Sequence, residues 1–152
     1  MARTRKHRNQ EVTSRIMSAI KSKGSKAEGL LGRSMWSLGL RYRKHPKGIL
    51  GKPDHVFIKA KVVVFCDGDF WHGKGWEDRG FNSWEEQFDG LRNAEFWRNK
   101  IARNMERDQQ VNHKLRDAGW LVMRFLESQI FRDPEQCAQS VLEAVRARKE
   151  IV

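Results

Sequence analysis

The chain has 152 residues, 39% apolar and 32% charged, with a net charge of +11. That length suits one domain with its own core, and no run reaches the ~18 apolar residues that cross a bilayer. So basic a chain points to a polyanion, most simply nucleic acid, and leaves a ribosomal-type basic protein as the plain alternative.

Residues 1–12 carry Arg3, Arg5, Lys6 and Arg8 with almost nothing apolar, and read as a flexible basic arm. No apolar segment follows those charges, so a secretory signal is not expected and the cytoplasm is the expected location. Residues 13–152 read as a single domain. A short helix is predicted over Ser14 to Ser22. A clearer helix starts at SKAE, where Ser25 is a candidate N-cap and Glu28, three residues on, completes a capping box. Leu31, Met35 and Leu38 give this helix one buried face, and Gly39 is placed to end it.

An edge strand is predicted over Leu40 to Lys44, followed by the loop PKGILGKPD. Two strands come next, Asp54 to Ile58 and Lys61 to Cys66, joined by a tight turn at Lys59–Ala60. Residues 73–94 are rich in Gly, Trp and charge, and read as a long excursion with a short helix near Glu85. A long helix is predicted from Ala94 to Ala118, with Trp97, Ile101, Met105, Val111 and Leu115 on its apolar stripe. A strand over Trp120 to Phe125 follows. Asp133-Pro134 then opens a last helix, whose stripe is Val141, Leu142 and Val145. The element order is α-α-β-β-β-α-β-α, a layered α/β domain.

Several residues sit where packing alone does not explain them. Asp108 falls on the apolar stripe of the long helix, seven residues after Ile101 and seven before Leu115. A carboxylate there needs a cation or a metal, and Arg103 or Arg107 could equally hold it. Asp54 begins its strand after Pro53, as turn chemistry or as a metal ligand. Glu28 is explained by the capping box or by a site. The stretch VVVFCDGDFWHGK places Asp67, Asp69, Phe70, Trp71 and His72 directly after a core strand. His72 beside metal-binding carboxylates is a candidate general base. Phe70 and Trp71 either cap the core or wedge between base steps. Cys66 and Cys137 read as reduced thiols. The five histidines are scattered and no Cys-x-x-Cys exists, so a structural zinc site is not expected.

Together the pieces TSRIMSAIKSKGSKAE, LGLRYRKH, LGKPDHVF, VVVFCDGDFWHG and EFWRNKIARNMERDQQVNHKLRDAGW resemble the very short patch repair endonucleases, the Vsr-type mismatch-nicking enzymes, over roughly residues 13–145. The resemblance implies a restriction-endonuclease-like three-layer α/β fold, with a mixed central sheet flanked by helices. It implies an enzyme that uses one or two Mg²⁺ to nick one strand of double-stranded DNA beside a T·G mismatch; a monomer is expected, with other repair proteins as candidate partners. By position, Asp54 and the backbone carbonyl of Cys66 match the family's metal ligands, and Glu28 its acidic residue acting through metal-bound water. His72 matches the base, Asp108 its partner, and Phe70, Trp71 and Trp97 the DNA wedge. Phosphate contacts are expected from Arg3, Arg5, Lys6, Arg8, Lys21, Lys23 and Lys26, and from the segment Arg41 to Lys47.

Many relatives hold a zinc with three cysteines and a histidine. Here Asp69, Lys74, Trp76 and Ser128 stand at the matching positions, so no zinc is expected. Trp76, Phe81, Trp84 and Phe88 are expected to fill a small core in its place. Asp67 and Asp69 are left outside the catalytic set. A nuclease of the same fold without mismatch preference, restriction-type or homing-type, is the main alternative function. A non-catalytic DNA-binding module is the other.

Overall fold

The computed structural model describes residues 25–150. The basic arm, the helix predicted over Ser14 to Ser22, and Lys21 and Lys23 lie outside the described residues. Helix α1 (Lys26–Ser37) starts where the sequence places it: Ser25 Oγ accepts the Glu28 backbone N–H at 3.2 Å. Its apolar side buries Ala27, Leu31 and Met35. Leu38, expected on that side, is instead the C-cap and is exposed.

The sheet has order β1-β2-β3-β4, with β1 (Arg43–Lys44), β2 (His55–Phe57), β3 (Val62–Asp67) and β4 (Leu121–Leu126). The first two pairings are antiparallel, and β3–β4 is parallel, from Val62 beside Leu121 to Asp67 beside Leu126. The edge strand is shorter than the predicted Leu40 to Lys44, because Leu40 turns inward and its N–H closes the end of α1 on Met35 O. Helix α2 (Ala94–Asp117) makes the crossover between the parallel strands. The predicted helix near Glu85 is a single 3₁₀ turn, Glu85–Phe88.

One element was not expected. Helix α3 (Glu127–Arg132) follows β4 directly, and Gln129 Oε1 accepts the Leu126 N–H at 2.8 Å to start it. Only Asp133 separates it from α4 (Pro134–Glu150). Six residues are too few to show helical periodicity.

β3 explains the layering. Its residues are nearly all buried, as expected of a central strand covered on both faces. Val62, Val64 and Cys66 face α1, α3 and α4, where Leu31, Met35, Ile130, Ala138, Val141 and Val145 complete the larger core. Val63 and Phe65 face the other way, onto Leu115 and Val111 of α2. The result is helices, mixed sheet, helix: the three-layer α/β arrangement expected from the sequence. No helix among the described residues is long and apolar enough to cross a membrane.

Candidate functional site

The end of β3 is where the sheet gives way to chemistry. Asp54 lies just before β2, which runs antiparallel to β3, so it returns beside the end of that strand. Its N–H donates to Val64 O at 3.0 Å, and its Oδ2 accepts the Cys66 N–H at 2.7 Å. Residues 64 and 66 thus turn their peptide groups to the same edge, the one that Asp54 occupies. From the α1 side, Glu28 reaches the same place. His45, after β1, joins them: its Nε2 lies 2.7 Å from Glu28 Oε1 and 3.3 Å from Asp54 Oδ1. Of the expected capping box, the Ser25 half is formed, while the Glu28 side chain turns to the site. Its backbone N–H serves the cap while its carboxylate serves the cluster.

Burial raises the Asp54 carboxyl to about 6, and the Glu28 charge adds to this, against the Cys66 N–H and His45. Acidic groups held so close, poorly hydrated, favour a bound cation. Glu28, His45 and Asp54 each offer a donor atom, all within 4.8 Å of one another. Carboxylate oxygens suit Mg²⁺, so the residues present fit the metal that the sequence implies. The Cys66 thiol is pushed up, first by burial and then by the surrounding acids, so it stays protonated and inert.

The second cluster hangs from the next residue. Asp67 points to the α2 face of β3 and meets His72 and Asp108. His72 Nδ1 is hydrogen-bonded to Asp108 Oδ2, and its Nε2 lies 3.6 Å from Asp67 Oδ1. Asp67, which the sequence reading leaves out of the catalytic set, is therefore part of the histidine's surroundings. The cation that holds Asp108 is neither Arg103 nor Arg107 but Arg124, from β4. Arg124 Nη1 contacts both Asp67 oxygens at 3.0 and 3.1 Å and Asp108 Oδ1 at 3.7 Å. Its Nε donates to Asn112 Oδ1 at 2.7 Å, and its guanidinium lies 4.0 Å from the Phe65 ring centre. Burial alone would lower the His72 pKa, but the Asp108 hydrogen bond and the two carboxylate charges raise it above the usual imidazole value. Asp67 is raised by burial, against His72 and Arg124.

The four acidic and histidine residues singled out from sequence thus divide into two neighbouring groups, Glu28 with Asp54 and His72 with Asp108. His45 and Arg124 were missed. The signal for Arg124 was a lone cation inside the apolar strand LVMRFL; His45 had none beyond its residue type.

Phe70, Trp71 and Trp97 come together, with ring centres 5.7 to 6.2 Å apart. All three are half-buried, and Phe70 also packs on the fully buried Phe88 at 6.2 Å. Trp84 meets Phe88 edge-on at 5.0 Å. Of the four aromatics expected to form a small core, Trp84 and Phe88 pack together and Phe88 continues onto Phe70, while Trp76 and Phe81 are half-buried. Asp69 and Ser128 face each other, Ser128 donating from its N–H to Oδ1 at 3.2 Å and from its hydroxyl to Oδ2 at 2.5 Å. They tie the loop after β3 to the start of α3, while the Lys74 and Trp76 side chains take no part in that tie. Lys26 is exposed at the first position of α1. Arg41 is engaged locally, its guanidinium 3.6 Å from the centre of the Trp36 ring.

Comparison with known proteins gives a consistent picture. The profile of the family described as DNA mismatch endonuclease Vsr matches residues 6–78. The chain is 45% identical over 139 residues to the type II nicking enzyme V.NmeDIP of Neisseria meningitidis serogroup C, covering 91% of this chain and 89% of that one. It is 41% identical to the type II nicking enzyme V.HpaIIP of Haemophilus parainfluenzae, over 88% and 89% of the two chains. It is 30% identical to the DNA mismatch endonuclease Vsr of Escherichia coli (strain K12), over 72% and 65%.

Proposed function

The chain belongs to the Vsr family of DNA mismatch endonucleases and is a nuclease acting on DNA; on that premise we propose that it nicks one strand of duplex DNA at a T·G mismatch, with Mg²⁺, in very short patch repair. The observation that carries this reading is the pair of clusters hung from Cys66 and Asp67, one suited to a cation and one built around a histidine.

Asp54, the Cys66 carbonyl and, through water, Glu28 are the groups that would hold the metal. When bound, Mg²⁺ supplies charge stabilisation at the attacking and leaving oxygens of the phosphodiester. His72 takes the proton of the attacking water at Nε2, since Nδ1 is committed to Asp108. Asp108 fixes the ring and the tautomer, and Arg124 fixes Asp108 and Asp67. Arg124 also balances the acidic charge around the imidazole, limiting the rise in its pKa. Phe70, Trp71 and Trp97 present large apolar faces that unstacked bases can meet, which favours a substrate already weakened by a mismatch.

The test uses T·G and fully paired duplexes with the purified chain, with Mg²⁺ and with EDTA, beside Asp54→Ala. Mg²⁺-dependent nicking confined to one strand of the T·G duplex is expected, with no cutting by Asp54→Ala. Equal cutting of both duplexes would remove mismatch preference and leave the restriction-type alternative. Undiminished cutting in EDTA would remove the metal.

A further inference from the structure

We propose that His45 is a direct ligand of the divalent cation through Nε2, alongside Asp54 and with Glu28 acting through water, and that this nitrogen sets which cation the centre prefers. The inference rests on the reading that Asp54 and Glu28 serve a metal. It adds a ligand that neither the metal-binding role of Asp54 nor the sequence motifs call for.

The geometry is the first support. His45 Nε2 stands 2.7 Å from Glu28 Oε1 and 3.3 Å from Asp54 Oδ1. Metal–ligand bonds of about 2.1 Å place neighbouring donors about 3 Å apart and opposed ones about 4.2 Å apart. His45 Nε2 and Asp54 Oδ1, 3.3 Å apart, suit neighbouring positions on one ion, and the Glu28 donor lies within 4.8 Å of both, close enough to act through water. The 2.7 Å contact between His45 and Glu28 must open to admit the ion and the water that carries Glu28.

The way the chain delivers His45 is the second. The residue has φ 44°, an uncommon backbone conformation for anything but glycine. Its N–H donates to Asp54 O at 3.2 Å, so the backbone of one ligand holds the backbone of the other. The residue that follows edge strand β1 is thereby turned over the two carboxylates, whereas Arg43 and Lys44 of the strand are exposed.

The chemistry gives the consequence. An all-oxygen site suits Mg²⁺, whereas an imidazole added to carboxylates favours first-row transition ions. The centre should therefore bind Mn²⁺ more tightly than an oxygen-only site would, with little gain for Mg²⁺.

Mn²⁺ is the probe. Pulsed EPR of the Mn²⁺-loaded full chain is expected to show a directly bound ¹⁴N coupling that His45→Ala and His45→Gln both lose. Calorimetric titration is expected to give an Mn²⁺ Kd about tenfold weaker in His45→Gln, with the Mg²⁺ Kd changed less than threefold; circular dichroism checks that each variant is folded. No ¹⁴N coupling in the wild type, or an unchanged coupling in both variants, would overturn the proposal. Asp54→Ala separates the two readings. If it abolishes Mn²⁺ binding while His45→Gln leaves Kd and spectrum unaltered, the metal centre stands and the ligand falls. If Asp54→Ala binds Mn²⁺ as the wild type does, both fall.

Discussion

Burial and the neighbouring Glu28 charge raise the Asp54 carboxyl from 3.8 to about 6, against the Cys66 N–H and His45. The folded chain therefore holds this proton more tightly than the unfolded chain. The resulting stabilisation is complete below about pH 3.8 and gone above about 6. A shift of roughly two units corresponds to about 3 kcal/mol, an upper bound for a group with some solvent access. Asp54→Asn should then raise the melting temperature of the metal-free chain by a few degrees at pH 7.5 and hardly change it at pH 4. It should also abolish the thermal shift produced by Mg²⁺. Calorimetry with and without the ion reads both effects, and a lower melting point at pH 7.5 would contradict the strain assigned to this carboxylate. His72 carries the opposite lesson. Its pKa is raised by Asp108 and Asp67 against burial, so its neutral, proton-accepting form is lost as pH falls through a value above the usual imidazole range. Asp108→Asn should move the acidic limb of the single-turnover pH–rate profile to lower pH and cut the plateau rate by ~10²-fold or more. An unmoved limb would mean that another group titrates there.

At the scale of elements, helix α1 matters because it carries Glu28 to β2. Their close approach depends on Gly32: a Cβ there would stand 2.5 Å from the Tyr42 hydroxyl and 3.2 Å from His55 Nε2. Gly32→Ala should push the helix outward, cost about 1–3 kcal/mol in denaturant unfolding, and weaken Mg²⁺ binding, since Glu28 withdraws from Asp54. Unchanged stability and Mg²⁺ affinity would show that Tyr42 yields freely. The same region shows what sequence could and could not disclose. The Ser25 cap, the apolar stripes of α2 and α4 and the buried run of β3 are local patterns, and each was legible. Whether Asp108 would meet an arginine of its own helix or one from the following strand was not, because which face of β4 turns to α2 is set by its parallel register with β3. His45, Glu28 and Asp54 likewise come from three separate elements. Helix α3 escaped because a six-residue helix has too little length to reveal its period.

For the whole molecule, the net charge of +11 governs how it meets its polyanionic partner. With 6–10 phosphates neutralised, duplex affinity should fall roughly 10³- to 10⁵-fold between 50 and 200 mM salt. Removing residues 1–12 takes away Arg3, Arg5, Lys6 and Arg8. This should flatten the plot of log K against log salt by up to about 3.6, with the cutting rate at saturating DNA preserved. Fluorescence anisotropy across a salt series measures it, and an unaltered slope would exclude the arm from binding. The layers also dictate which length changes the gene can accept. Cys66 and Asp67 are consecutive, and the pleat sends their chemistry to opposite sides of one strand. Inserting or deleting one codon between Val62 and Asp67 would exchange the two sides, sending the carboxylate toward α1, α3 and α4 and leaving Cys66 or Gly68 where Arg124 waits. Two codons would restore the sides but displace both clusters by about 7 Å along the strand. This segment should therefore have an invariant length in every active descendant, while the excursion over 73–94 remains free to lengthen or shrink around Phe88.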